Sequence, residues 1–210
     1  MSPDALREHL TRGPVDGAKA LIGCLLVHGG RVARIIETEA YGSIEDPGSH
    51  AHRGRTPRNE VMFGPAGHAY VYLNYGCHWL MNVVLLAPDR ASAALIRAAV
   101  PVAGIEAMRE ARPRVRRDED LLSGPGKLSA ALGIDDRHYG VDLLDGSSNL
   151  RLEPGRSPGR LLATTRVGLA AGKGEDLPWR FLDPEAPAWS STPRCTGELV
   201  SFGGTEACTG

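Results

Sequence analysis

A glycine pair between two apolar runs is the feature that most restricts how this chain can fold. The runs CLLVH and RVARIIETEAY are separated only by Gly29 and Gly30, a pattern that predicts a β-hairpin. Helical patterns are predicted at Val15–Ile22, in GIEAMREAR and in PGKLSAALGI, and further strand-like runs are AYVYLNY, WLMNVVLL and SAALIRAAV. Because the strand-like runs follow one another with few regular helical crossovers, the sequence predicts an α+β fold with a largely antiparallel sheet, not a doubly wound one.

The length and charge of the chain limit the classes of protein it can belong to. Its 210 residues suit one domain spanning 1–210, with a loosely packed tail predicted over the last ~30 residues. Lys and Arg number 24 against 25 Asp and Glu, so a nucleic-acid surface would require the basic residues to gather on one face. The polar N-terminus and short apolar runs lead us to expect a soluble, intracellular, cytoplasmic protein with no membrane partner.

Two glutamates lie in a strand that is otherwise apolar. If side chains alternate regularly, Ile35, Glu37, Glu39 and Tyr41 share one face of the strand. A carboxylate in such a position is a candidate general base. A solvated strand face is the alternative, and on the residues alone it is the favoured one, because carboxylates are mostly exposed.

Aromatic and basic residues are concentrated in the region that follows. Four of the five tyrosines fall between residues 41 and 75, around a long loop at 42–67. Aromatic side chains beside a basic loop suit stacking on nucleic-acid bases, although β-propensity and core packing explain them equally well. Arginines in the loop segment HAHRGRTPRN and in REARPRVRR suit phosphate contacts, with a solvated surface as the alternative for both segments.

Two further patterns are weak. His50-x-His52 has no third ligand at a recognisable spacing, and the four cysteines form no CxxC pair, so no metal site is expected. The segment GPGKL, ending at Leu128, suits a phosphate-binding turn at a helix N-terminus. It lacks the spacing of a P-loop, and a capped helix with Lys127 on the surface is the alternative.

Taken together, these segments resemble the alkyladenine (3-methyladenine, methylpurine) DNA glycosylase family. The matching segments extend from about Ala20 to Leu169, and they are ALIGCLLV, RIIETEAYGSIEDPGSHAHRGRTPRNEVMFGPAGHAYVYLNYG, MNVV, ALIRAAVP, GPGKLSAALGI and RVGL. The central block is long and contiguous, which makes the resemblance specific. It implies one mixed domain with a curved, mostly antiparallel sheet and a protruding β-hairpin.

The resemblance also implies roles for individual residues. Glu39 corresponds to the general base that activates a water. Tyr41 and Tyr72 correspond to aromatics that stack on a flipped base, while His50 and Asn82 correspond to pocket residues, the latter disfavouring normal guanine. For DNA contacts, the resemblance implies Tyr75 as the wedge that fills the vacated space and Arg97 as a phosphate contact, and we add the basic residues Arg53, Arg55, Arg58 and Lys127.

The activity implied by the resemblance is hydrolysis of the bond between a damaged purine and deoxyribose. The expected partner is double-stranded DNA with alkylated or deaminated purines, bound by a monomer that needs no metal or organic cofactor. No lysine stands in the pocket motif, so simple hydrolysis without Schiff-base chemistry is expected. Two alternatives remain: a nucleic-acid-binding module of the same fold without catalysis, and a metal-dependent hydrolase that uses His50 and His52.

Overall fold

The computed structural model of the protein describes residues 2–86, 90–191 and 197–201. Its α-helices are α1 (Pro3–Leu10), α2 (Pro14–Ala20), α3 (Ile105–Ala111) and α4 (Pro125–Leu132). Its strands are β1 (Leu25–His28), β2 (Arg31–Tyr41), β3 (Ala69–Asn74), β4 (His78–Leu85), β5 (Ser92–Ala103), β6 (Leu150–Glu153), β7 (Arg160–Thr164), β8 (Arg180–Leu182) and β9 (Glu198–Ser201). Short 3-10 turns occupy Glu60–Phe63, Asp118–Asp120, Asp136–His138 and Pro187–Trp189.

The nine strands of the described residues form one sheet in which all paired strands are antiparallel. The order along the sheet is β3-β4-β5-β2-β8-β7-β9, and β1 joins β2 to β6 beside this path. The predicted hairpin at Gly29 and Gly30 is the β1–β2 pair, and both glycines have positive φ. The predicted α+β class with an antiparallel sheet is therefore confirmed.

The main apolar core lies between the helices and one face of the sheet. Leu6 and Leu10 of α1 and Leu128 and Leu132 of α4 are fully buried in it, together with sheet residues such as Met81. Pro14 and Pro125 stand in the first turns of α2 and α4, where the missing N–H has no helical partner to lose. None of the described helices is long and apolar enough to cross a membrane.

The pairing of β2 with β5 has three irregularities: one between Val32 and Ala33, and two in the middle of the strands that compensate each other. Ile36 on β2 and Arg97 on β5 each lack a partner, because the consecutive pairs are Ile35–Ala99, Glu37–Ala98 and Thr38–Ile96. Each of the two central bulges inserts one residue, so residues 38–41 of β2 pair with β5 in the same register as residues 33–35. Bulges of this kind redirect side chains next to functional sites.

The bulge at Ile36 corrects one prediction about β2. Regular alternation would place Ile35 on the same face as Glu37, but Ile35 packs in the main core while Ile36 belongs to a separate cluster with Ala98. Thr38 also faces the helices, since its hydroxyl donates to the carbonyl oxygen of Ala18 at 2.9 Å. Glu37 and Glu39 thus lie on the opposite face of the sheet, without Ile35.

The long loop predicted at 42–67 is held in place by its own hydrogen bonds and by a second apolar cluster. Asn59 is buried, and its amide nitrogen donates to the carbonyl oxygens of His50 and Gly54 at 2.9 and 3.0 Å. Met62 packs with residues of β3, β4 and β5 on the side of the sheet away from the helices. The loop therefore covers the face on which the two glutamates lie.

The described part of the C-terminal segment contributes to the sheet. Phe181 and Leu182 of β8 are buried, and β9 pairs with β7. The rest of the tail predicted over the last ~30 residues, at 192–196 and 202–210, lies outside the described residues.

A close backbone approach between Gly23 and Gly155 gives a stability prediction. A Cβ on residue 155 would lie 1.9 Å from the Gly23 carbonyl oxygen, whereas a Cβ on Gly159 of the same loop would meet nothing within 4 Å. We expect Gly155→Ala to lower the free energy of unfolding by about 1–3 kcal/mol and Gly159→Ala to leave it nearly unchanged, measured by urea denaturation. Equal midpoints for the two variants would contradict this close contact.

Candidate active site

A pocket of about 300 Å³ opens on the face of the sheet away from the helices. The sheet supplies its floor, the loop around Gly48 and His50 one wall, and residues 167–169 another. Six of the residues predicted for the site line it: Tyr41, His50, Tyr72, Tyr75, Asn82 and Arg97. Residues that are up to 56 positions apart in the sequence therefore meet at one cavity.

Glu39 lies directly behind the wall of this pocket and is fully buried. Its Oε1 accepts the backbone N–H of Val167 at 2.6 Å, and its Oε2 accepts the Tyr41 hydroxyl at 2.9 Å and Nη1 of Arg97 at 3.2 Å. All three donors belong to residues that line the pocket. The carboxylate is thus fixed in orientation and separated from bulk water.

Arg97, predicted as a phosphate contact, is 6% exposed and lies inside the pocket, not on the outer surface. Its Nε donates to Glu37 at 2.9 Å, and its other nitrogens donate to Glu39 and to the Ser191 hydroxyl. Burial alone would lower the pKa of Arg97, but the two carboxylates raise the pKa above its ordinary value. Any contact of Arg97 with a phosphate must therefore be made from within the pocket.

Glu37 links Arg97 to a second buried arginine, Arg180. Its Oε1 accepts Nε of Arg180 at 2.7 Å and the Ser191 hydroxyl at 2.6 Å, besides Arg97, and its Oε2 accepts the Ser191 N–H at 2.6 Å. A buried row of alternating charges, with no net charge, is formed by Glu39, Arg97, Glu37 and Arg180. Because a buried ion without a partner is strongly destabilising, each member of the row stabilises its neighbours.

Tyr41 contacts both the pocket and the carboxylate. Burial raises the pKa of its hydroxyl well above the ordinary value, and the neighbouring Glu39 raises this pKa further. The hydroxyl is therefore neutral at physiological pH and donates to Glu39. The guanidinium of Arg166 lies 4.8 Å from the centre of the Tyr41 ring.

His50 and two tyrosines form an aromatic group at the pocket. Nδ1 of His50 lies 2.8 Å from the Tyr70 hydroxyl, and the His50 ring meets the Tyr72 ring edge to face at 4.6 Å. Partial burial lowers the pKa of His50, with a smaller effect from the charge of Arg58. Burial raises the pKa of Tyr72 to about 12, so these groups are uncharged at neutral pH.

Asn82 is 4% exposed, and its amide nitrogen donates to the Tyr70 carbonyl oxygen at 3.0 Å. This bond fixes the side chain on the pocket floor. The side-chain oxygen is then the group available to a ligand.

Tyr75 stands at the tip of the β3–β4 hairpin, as predicted. It is 91% exposed, and both Tyr75 and Gly76 have positive φ, at 49° and 69°. The Cys77 N–H closes the turn by donating to the Asn74 carbonyl oxygen at 3.1 Å. A tyrosine in the left-handed region costs about 1–3 kcal/mol, and here it presents the ring to solvent at the mouth of the pocket.

Arg53, Arg55, Arg58 and Lys127 are exposed. The Arg58 guanidinium lies 5.1 Å from the centre of the Tyr72 ring, so it borders the pocket. Arg55 approaches Glu60 at 3.6 Å, and Lys127 donates to the Ser123 hydroxyl at 3.1 Å.

The second basic stretch is largely neutralised by its surroundings. Arg109 pairs with Asp118 at 2.8 Å and Arg117 with Glu119 at 3.4 Å. Arg112 donates to backbone carbonyl oxygens. The alternative of a solvated surface therefore fits these three arginines better than a phosphate-binding face.

Several residues that shape the site were not singled out from the sequence. Val167 contributes its backbone N–H, which every residue except proline has. Its identity in the sequence therefore does not indicate this role. Arg166, in the matching segment RVGL, pairs with Asp46 across 120 positions. Arg180 and Ser191 lie beyond Leu169, where the segments that carry the resemblance end.

The two histidines considered as metal ligands have different partners. Nδ1 of His52 contacts the Ile44 carbonyl oxygen at 2.7 Å, while Nδ1 of His50 contacts Tyr70. Within residues 2–86, 90–191 and 197–201, no group of three or more His, Cys, Asp or Glu side chains is arranged to hold a metal ion.

Comparison with known proteins gives consistent results. The model of the family described as methylpurine-DNA glycosylase matches residues 8–187. Three relatives each carry the name "Putative 3-methyladenine DNA glycosylase". The one from Rhodococcus jostii is 44% identical over 197 residues, which are 91% of this chain and 87% of the relative. The one from Nocardia farcinica is 43% identical, covering 90% and 93% of the two chains, and the one from Methanoculleus marisnigri is 47% identical, covering 81% and 90%.

The lowered pKa of His50 gives a prediction for its titration. We expect the NMR titration midpoint of the His50 ring to lie below the ordinary value of about 6.5, because partial burial and Arg58 both disfavour the cation. Arg58→Gln should raise the midpoint. Since the pKa is lower in the folded state, the associated stability is present above ~6.5 and decreases as the pH falls through that value. A midpoint above the ordinary value would contradict a neutral imidazole in the pocket.

Proposed function

Because this chain belongs to the methylpurine-DNA glycosylase family, we propose that it flips an alkylated purine out of duplex DNA and hydrolyses its bond to deoxyribose. The family and the names of the relatives make the chain a DNA glycosylase for alkylated bases. The observation that carries the proposed mechanism is the fully buried Glu39 carboxylate, fixed behind the pocket by Val167, Tyr41 and Arg97.

Glu39 is the proposed general base. Among the described residues, Oε1 accepts only the Val167 N–H, and a carboxylate oxygen has a second lone pair that can accept a water hydrogen. The water oxygen bonds to C1′ of the deoxyribose and one water proton passes to Glu39. The electron pair of the glycosidic bond passes to the departing base, which neutralises a purine that alkylation has made cationic.

The pocket suits a planar base between aromatic side chains. Tyr41 and Tyr72 are the proposed stacking surfaces, and stacking of one base on an aromatic ring contributes roughly 1–3 kcal/mol. His50 is uncharged and contacts the base at the mouth of the pocket. Asn82, held by the Tyr70 carbonyl oxygen, occupies space that the exocyclic amine of normal guanine would need.

The surroundings of the pocket suit a DNA duplex. Tyr75 is the proposed wedge, because it projects from the hairpin tip beside the cavity. Exposed Arg53, Arg55, Arg58 and Lys127 are the proposed phosphate contacts around the pocket, with Arg97 reaching a phosphate from inside. No lysine is among the described residues that line the cavity, so the proposed reaction ends with a free base and an abasic site.

Replacement of Glu39 tests the mechanism directly. Glu39→Gln keeps the size of the side chain but removes the proton acceptor, so we expect release of 3-methyladenine to fall about 10²–10⁴-fold or more. Affinity for duplex DNA should remain within a small factor of wild type. Base release is measured by chromatography of methylated DNA incubated with excess enzyme, in parallel reactions with and without a chelator.

The control for this test is Glu8→Gln, the same chemical change at an exposed residue that pairs with Arg12. It should leave base release unchanged. Near wild-type release by Glu39→Gln would remove Glu39 from the mechanism. No release by the wild-type protein would favour the alternative of a binding module without catalysis, and release abolished only by the chelator would favour a metal-dependent hydrolase.

Replacement of Tyr75 tests the wedge. Extruding a base from its stack costs a few kcal/mol, which an inserted side chain offsets. We expect Tyr75→Ala to keep the melting temperature nearly unchanged, and to slow excision from duplex DNA more than from single strands. Val102→Ala, at an exposed apolar residue of β5, is the control. Equal slowing on both substrates, or loss of folding, would mean that Tyr75 has a structural role.

A further inference from the structure

A buried ion pair joins two loops beside the pocket. Arg166, in the segment after β7, contacts both carboxylate oxygens of Asp46, at 2.6 and 2.9 Å. Asp46 lies in the loop after β2, and the two side chains are 1% exposed or less. This two-point geometry matches the planar fork of a guanidinium to a carboxylate and fixes their relative orientation.

The pair is also tied to the backbone on both sides. Asp46 accepts the N–H groups of Gly42 and Gly48, at 2.8 and 2.9 Å. Arg166 donates to the Ala40 carbonyl oxygen at 3.1 Å and to the carbonyl oxygens of residues 173 and 174. The end of β2, the loop at 42–48 and the segment at 165–174 are thereby connected through one pair of charges.

Each connected segment carries a group of the site. Tyr41 lies between Ala40 and Gly42, and its ring packs 4.8 Å from the Arg166 guanidinium. Val167, whose N–H binds Glu39 at 2.6 Å, is the next residue after Arg166. Gly48 and residues 167–169 form walls of the pocket.

We propose that Asp46 and Arg166 are a positioning pair for the glycosylase reaction, setting the ring plane of Tyr41 and aiming the Val167 N–H at Glu39. The proposal rests on the function proposed above. Neither residue touches the reacting atoms, so both act through Tyr41 and Val167. Burial alone would raise the pKa of Asp46, but the hydrogen bonds from Arg166 and from the Gly42 and Gly48 amides lower it overall, so the pair is ionic at neutral pH.

The test separates positioning from a purely structural role by comparing this pair with another Asp–Arg ion pair that lies away from the pocket. Arg166→Lys keeps the positive charge but loses the planar fork, and Asp46→Asn keeps an oxygen for the backbone amides. The control is Asp142→Asn, which weakens the contact of Arg7 Nη2 with both carboxylate oxygens of Asp142, at 2.8 and 2.9 Å, in a partly exposed pair away from the pocket. All three variants are checked for folding by circular dichroism and for melting temperature.

The decisive measurement is the single-turnover rate of 3-methyladenine release at saturating enzyme, alongside the affinity for the same methylated duplex. We expect Arg166→Lys and Asp46→Asn to slow release at least about tenfold, since small misplacements of reacting groups have effects of this size, with affinity nearly unchanged. Asp142→Asn, in a more exposed pair, should lower the melting temperature less and should not slow release.

Each other outcome has a definite meaning. If wild-type protein releases no base, the proposed function fails first, whatever the variants do. If wild type is active but the two variants release base at its rate, the positioning role is overturned. It is also overturned if Asp142→Asn slows release as much as they do. If neither variant folds, the pair is required for the fold itself, and the positioning role is likewise overturned.

Discussion

The burial of one carboxylate determines much of this structure. Glu39 has no contact with bulk water, and a charge in that position is tolerated only when hydrogen bonds and an opposite charge replace its hydration. The donors come from three segments: a tyrosine two residues along the same strand, an arginine on the neighbouring strand, and a backbone N–H from the segment after β7. The arginine in turn requires Glu37, and Glu37 is balanced by Arg180.

The two faces of the sheet have different roles in the protein. The face covered by helices is apolar and supplies the bulk of the buried surface. The other face carries the charged row, the pocket and the loops above it, and its order depends on polar contacts between segments that are distant in sequence. Two buried ionic groups, the row ending at Arg180 and the Asp46–Arg166 pair, connect the segments of this face.

The sequence predicted those features that depend on local patterns. The Gly29–Gly30 hairpin, the antiparallel class and the tip position of Tyr75 follow from short runs and turn residues, and the structure confirms them. Six of the side chains that the resemblance implied for the site line one cavity. The bulges, the Asp46–Arg166 pair and the Val167 N–H could not be predicted, because they depend on register and on backbone atoms whose position the local sequence does not encode. The same limit explains why Arg97, expected on a DNA-facing surface, lies inside the pocket.

The paired bulges of β2 and β5 have an evolutionary consequence. The extra residue in β5 is Arg97 itself, which the charged row needs, and the extra residue in β2 is Ile36, which does not line the pocket. Deleting Ile36 alone would leave the β5 bulge uncompensated, so one end of the strand pair would slip by one residue and its side chains would exchange faces. Selection that retains the arginine therefore also retains a residue at position 36, whatever its side chain. The length of β2 at position 36 is therefore retained together with Arg97, which lies 61 positions later in the sequence.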